Sequence, residues 1–127
     1  MSGRVLVADD SDTMRRIILR SLRTLGVHDG TEAADATEAV ELFRPGCFDL
    51  VVMDWNMPGM EGPAVVKAIR DRDAGVPVIV VALEVEEDYV REAAGVGAFD
   101  YLVKPFTIES LRRKLEKHGC AVAPGEQ

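Results

Sequence analysis

The sequence predicts a doubly wound α/β fold, a five-stranded parallel sheet with helices on both faces, and three observations predict it. Short apolar runs rich in β-branched residues recur along the chain: RVLVA at 4–8, LVVM at 50–53, VPVIVVAL at 76–83 and FDYLV at 99–103. Runs of this kind, bounded by turn residues, read as strands buried on both faces, the habit of parallel sheets. Stretches with helical apolar spacing separate them, as right-handed crossovers between parallel strands require. Finally, several runs end in charge, namely Asp9-Asp10, Asp54 and Lys104. A carboxylate cannot sit inside such a sheet without a partner, so these groups belong at its carboxyl edge, over a crevice.

The elements follow in order. After the first strand, Ser11 or Asp12 caps a helix in which Met14, Ile17, Ile18, Leu22 and Leu25 share one face, and Gly26 stops it. Arg15, Arg16, Arg20 and Arg23 are expected on the solvated side of that helix. Residues 27–34 form an edge strand weakened by Gly30. A helix over 37–43 carries apolar Ala39, Val40, Leu42 and Phe43, and Pro45-Gly46 end it. The central strand stops at Asp54, and the loop Asn56-Met57-Pro58-Gly59 follows at once. Pro63 then sits in the first turn of a helix over 63–72, with Val65, Val66 and Ile69 apolar, and Gly75 breaks it.

Beyond the strand at 76–83, Glu84, Glu86, Glu87 and Asp88 open a helix with acids at its positive end. Val90, Ala93 and Ala94 are expected to pack inward, and this helix stops near 95–97. The GxG there follows a helix rather than a strand, so it is no dinucleotide fingerprint. After the strand at 99–103, Thr107 caps a last helix with Ile108, Leu111 and Leu115 inward and Arg112, Arg113, Lys114 and Lys117 outward. Residues 119–127 lack periodicity and are expected to be a frayed tail or the start of a linker, after a single domain over 1–118. The alternation of strands and helices makes a flavodoxin-like arrangement the natural expectation.

At 127 residues, 47% hydrophobic and 29% charged, the chain suits one globular domain with a real core. Its net charge of -7 argues against direct nucleic-acid binding. The N-terminus holds only a short apolar run cut off by acids, neither a signal peptide nor a membrane span, so a cytoplasmic location without a membrane partner is expected; the chain is also expected to be a monomer. Cys47 and Cys120 have no metal or redox spacing and are read as reduced packing residues.

The strand ends line up as Asp9-Asp10, Asp54, Ala82-Leu83-Glu84 and Lys104-Pro105. Carboxylates brought within a few ångströms repel one another unless a cation sits among them. Hard oxygen ligands, few enough to leave room for water, suit Mg²⁺ better than Zn²⁺ or an all-protein calcium cage. Lys104 supplies a positive charge from another loop. An anion with several oxygens, a phosphoryl group above all, fits between the metal and the ammonium on the Asp54 side. Asp9-Asp10 alone could equally cap a helix, and Lys104 alone would more often be a surface lysine. Their shared edge is what an accident does not produce.

These residues, Asp9-Asp10, Asp54-Trp55-Asn56-Met57-Pro58 with Gly62 beyond, and Lys104-Pro105-Phe106, resemble the motif set of two-component response-regulator receiver domains. The resemblance spans 4–118, and the segments at 12–17, 54–58 and 101–107 are most similar to the single-domain chemotaxis regulators of that family. It implies that Asp54 is the phosphoacceptor for a histidine kinase's phosphohistidine. It implies that Asp10, Asp54 and the backbone carbonyl of Asn56 ligate Mg²⁺, with Asp9 acting mostly through water. Lys104 would pair with phosphoryl oxygens, the Lys104-Pro105 bond would be cis, and Tyr101 would report the phosphorylated state on the surface of the fourth helix, last strand and last helix. A sensor kinase upstream and a downstream protein, such as a flagellar motor switch or another effector, are the implied partners. The protein would be a phosphoacceptor that catalyses only its own phosphorylation and dephosphorylation, not an enzyme acting on a metabolite.

One position departs from the family pattern. The Ser or Thr expected at the end of the fourth strand falls on Ala82, and no hydroxyl lies in 78–85 to replace it. A charge-assisted hydrogen bond of that kind is worth about 1.5 to 3 kcal/mol. Metal ligands and Lys104 are retained, so the departure bears on coupling to the output surface rather than on phosphorylation. A receiver-like binding module that works without phosphorylation is the rival reading, supported by Ala82 alone. A haloacid-dehalogenase-like hydrolase does not fit, because Asn56 replaces that motif's second acid and there is no cap segment.

Overall fold

The computed structural model describes residues 3–83, 87–98 and 100–120, with the backbone alone for 87–90. Strands β1 (Arg4–Ala8), β2 (Asp29–Ala33), β3 (Leu50–Asp54), β4 (Val78–Ala82) and β5 (Asp100–Val103) form one parallel sheet. Helices α1 (Asp12–Thr24), α2 (Ala36–Leu42), α3 (Gly62–Arg72), α4 (Glu87–Gly95) and α5 (Ile108–Lys117) alternate with them. The strand order is β2-β1-β3-β4-β5, so the chain reverses its winding between β1 and β3. Crevices at the carboxyl edge open at such a reversal, and Asp9-Asp10 and Asp54 flank this one.

Strand residues alternate between two cores. Leu6, Ala8, Val51, Met53, Val78 and Val80 pack with α2, α3 and Ala93 of α4 on one face. Val5, Val7, Val52, Ile79 and Val81 pack with α1 and α5 on the other. Burial on both faces explains why β1, β3 and β4 read as unbroken apolar runs while the edge strand β2 (DGTEA) does not. Gly30 of β2 has a packing reason as well, since a Cβ there would lie 2.4 Å from Cδ2 of Leu19 on α1.

The caps follow local chemistry. Ser11, rather than Asp12, caps α1 by accepting from the Met14 amide, and Asp35 caps α2 through Glu38 N–H. Thr107 and Ser110 form a reciprocal capping box on α5.

Several expectations need correction. Arg15 is buried rather than solvated, while Arg16, Arg20 and Arg23 are exposed as expected. Ile17 and Ile108, expected on the inward faces of α1 and α5, are exposed, because Ile17 lies at the margin of its stripe and Ile108 at a helix end; apolar Leu42, at the end of α2, is exposed as well. Ala94 points outward beside buried Ala93. Cys47 is exposed and so is not a packing residue, whereas Cys120 is half-buried against the α1 and α5 side of the core. Strand β4 is shorter than 76–83, and Leu83 beyond it is 71% exposed. Helix α4 begins at Glu87; Glu84 and Glu86 lie outside the described residues, as do Phe99 and 121–127. No helix among the described residues is long and apolar enough to cross a membrane.

Candidate functional site

Register places the charged groups. Ala8 pairs with Met53, so Asp9 lies level with Asp54 across the switch point, and Asp54 pairs with Val81. Ala82 pairs with Val103, and the amide of Lys104 donates to the Ala82 carbonyl at 2.7 Å. The strand ends that the sequence aligns thus meet at one edge.

Ligand oxygens of Asp9, Asp10 and Asp54 all lie within 4.8 Å of one another. Asp9 is fully buried and Asp54 is 7% exposed, whereas Asp10 is open to solvent. Lys104 reaches across from the end of β5, with Nζ 3.0 Å from Oδ2 of Asp9 and 3.2 Å from Oδ2 of Asp54. The Ser11 amide donates to Oδ1 of Asp9, and the Asn56 amide donates to Oδ1 of Asp54 at 3.2 Å. A cis peptide joins Lys104 to Pro105, as the resemblance implies.

The electrostatics are asymmetric because one ammonium serves two acids. Burial pushes the Asp54 carboxyl above its ordinary range, Asn56 N–H and Lys104 oppose that shift, and Asp9 reinforces it. Burial also works against the charge on Lys104, yet Asp9 and Asp54 together more than offset it and raise its pKa. The lysine therefore gains two partners, while Asp54 has only a share of one cation. Such an edge is short of positive charge. An oxygen-only donor set of three carboxylates, one of them exposed, fits a hard divalent cation that keeps part of its water.

Trp55 follows Asp54 and is buried over the start of α3, where a Cβ on Gly62 would lie 2.5 Å from its indole ring. Beside the acids lies a cavity of about 720 Å³ whose lining includes Trp55, Asn56, Met57, Met60, Glu61 and Glu92. Asp54 itself is buried and is not in that lining; among the three acids only Asp10 is open to solvent.

Ala82 presents a nearly buried methyl at the end of β4, where the family pattern has a hydroxyl. Tyr101 is half-buried on β5, with Lys114 Nζ 4.6 Å from its ring centroid. Together with Phe106, Thr107, Ser110 and Lys114 it lines a cavity of about 370 Å³ on the β5 and α5 side.

Two charged residues have partners that the sequence reading missed: Arg15, expected in solvent, and Asp100. Arg15 donates from Nη1 to the Asp9 carbonyl at 2.5 Å, from Nε to Glu32 at 3.0 Å, and from Nη2 to Asp12. The signal was available, because Arg15 stands three residues before Ile18 and seven before Leu22 on the buried stripe of α1. Asp100 on β5 is buried and paired with Lys114, Lys117 and His118, a cluster that lies outside the acidic edge.

Residues 5–116 match the family model described as the response regulator receiver domain. The chain is 45% identical over 116 residues to the chemotaxis protein CheY of Pseudomonas aeruginosa, covering 90% of this chain and 94% of that one. It is 42% identical to chemotaxis protein CheY-3 of Vibrio cholerae, covering 90% of this chain and 89% of that one. Among solved structures, the chemotaxis response regulator CheY4 of Vibrio cholerae superposes with a TM-score of 0.81 at 32% identity, over 93% of this chain and 99% of that chain.

Proposed function

The chain belongs to the response regulator receiver domain family, and from that premise we propose that it is a Mg²⁺-dependent phosphoacceptor of chemotaxis type, phosphorylated on Asp54 by a sensor histidine kinase. The observation that carries this reading is the placement of Lys104 Nζ within 3.2 Å of Asp54 at an edge shared with Asp9 and Asp10.

An Asp54 carboxylate oxygen forms the new bond to phosphorus as the bond from phosphorus to the phosphohistidine nitrogen breaks; with the other ring nitrogen of the phosphohistidine protonated, the kinase's imidazole leaves neutral and Asp54 carries the acyl phosphate. Asp10, Asp54 and the Asn56 carbonyl would hold the cation, with Asp9 acting through water and through its bond to Lys104. Bound there, Mg²⁺ supplies neutralisation of the acids and of the charge that builds on the phosphoryl oxygens. Lys104, already anchored on Asp9, is positioned to pair with a phosphoryl oxygen once Asp54 is esterified. Burial of Asp54 excludes bulk water on the protein side of the bond. The catalysis is limited to the chain's own phosphorylation and hydrolysis, and the product is a shifted conformational population. That population would be read by a downstream protein, as a flagellar switch component would, on the surface of α4, β5 and α5 around Tyr101.

The test is direct. The protein incubated with a small phosphodonor and Mg²⁺ gains the mass of one phosphoryl group, and Asp54→Asn abolishes the gain. Absence of a gain in the wild type at saturating donor would favour a phosphorylation-independent binding module, the reading that Ala82 alone supports.

A further inference from the structure

We infer that Arg15 is a positioning residue for the cation site, acting through the backbone of Asp9 rather than by touching the ligand; this rests on the phosphoacceptor reading above. Asp10 is the one solvent-exposed acid of the cluster, so packing does little to aim its carboxylate. What aims it is the chain entering it. The Asp9 amide is held by the Ala33 carbonyl of β2 at 3.1 Å, and the Asp9 side chain by Lys104 and by the Ser11 amide. The remaining group, the Asp9 carbonyl, belongs to the peptide plane shared with Asp10, and Arg15 Nη1 donates to it at 2.5 Å.

The guanidinium is itself held on two further sides. Its Nε donates to Glu32 on β2 and its Nη2 to Asp12 at the start of α1, so one rigid fork ties the β1–α1 turn to strand and helix together. Only 10% of the Arg15 side chain is exposed, and Glu32 and Asp12 hold its pKa above the ordinary value despite burial. A lysine has the charge but a single donor centre, and cannot span the three acceptors. Groups that orient metal ligands from behind change metal affinity by about 10- to 100-fold when removed.

The experiment is Mg²⁺ titration of the full chain without phosphodonor, read by Trp55 fluorescence and by calorimetry, at a temperature where far-UV circular dichroism shows each variant folded. Arg15→Met is expected to bind Mg²⁺ about tenfold more weakly or worse, Arg15→Lys to fall between it and the wild type, and Arg16→Met, on the exposed face, to match the wild type. A lowered melting temperature with unchanged Mg²⁺ affinity in Arg15→Met means that Arg15 only fills the core, and overturns the inference. If Arg15→Met does not fold, Arg15→Lys decides: reduced affinity supports the positioning role, and wild-type affinity refutes it. Failure of the wild type itself to bind Mg²⁺ by either readout removes the phosphoacceptor reading and this inference together, an outcome distinct from a wild type that binds and an Arg15 variant that binds equally well.

Discussion

Ala82 brings a methyl group to an edge otherwise built from charges, and at the scale of one residue it sets the switch apart from the site. On the phosphoacceptor reading, Asp54, Lys104 and the neighbouring acids would bind the cation and react without Ala82 taking part. Its position one residue past the Asp54 pair on β4, with its carbonyl bonded to the Lys104 amide, puts it between the acid and the strand that carries Tyr101. A hydroxyl there would bond to the phosphoryl group only in the phosphorylated state, and a difference of about 1.4 kcal/mol shifts the two populations tenfold. Ala82→Thr is therefore expected to leave Asp54 phosphorylation intact and to enlarge the phosphorylation-dependent change in the NMR environment of Tyr101. Identical Tyr101 spectra for the two phosphorylated proteins would show that the missing hydroxyl does not limit coupling. Residues of this kind were legible because strand ends deliver them: Asp54 and Lys104 each terminate an apolar run. For Arg15 the only signal was its place on the buried stripe of α1, because an arginine on a helix is normally solvated and the groups that hold it, at the β1–α1 turn and on β2, come together only in the fold.

Among the elements, the joint between β5 and α5 rests on Asp100. Its carboxylate lies 2.8 Å from Lys114 Nζ, 2.8 Å from His118 Nε2 and 3.2 Å from Lys117 Nζ, and it accepts from the Tyr101 amide. Burial opposes the charge on Asp100, but Lys114, His118 and the amide override it and hold the carboxyl well below the usual carboxylate range. A carboxyl whose pKa is depressed in the folded state adds stability that is complete above its unfolded value of about 3.9 and is lost as pH falls below that. Asp100→Asn is expected to cost about 2 kcal/mol at neutral pH, the scale of a hydrogen bond to a charged group, and to flatten the fall in stability below about pH 4. Urea unfolding of both proteins at neutral and acid pH checks it; a deficit that persists unchanged in acid would rule the ion cluster out as its source. The two-faced strands were readable as unbroken apolar runs and the main apolar helix stripes from their period. The Asp100 joint was not, because a single acid in a short strand looks like an error in the pattern until the cations one helix later are folded back onto it.

The whole molecule carries the cost of its site in its stability. Three carboxylates at one edge face the single ammonium of Lys104, on a chain with a net charge of -7. On the proposed cation-site reading, repulsion among them would oppose folding without the ion, and with it the same groups would favour the folded state. A ligand that binds only the native state stabilises it by about 2.7 kcal/mol at a hundred times its dissociation constant, and a domain of this size shifts its melting temperature by roughly 3 °C per kcal/mol. Saturating Mg²⁺ is thus expected to raise the wild-type midpoint by several degrees, and chelator to remove the rise. Asp10→Asn takes away one negative charge that is exposed and has no packing role, so in chelator it should melt at or above the wild type, and it should lose most of the Mg²⁺ response. Calorimetric scans of both proteins in Mg²⁺ and in chelator separate these effects. If Asp10→Asn melts below the wild type in chelator, or if Mg²⁺ raises both midpoints equally, then Asp10 is structural rather than a ligand and the edge is not under electrostatic strain.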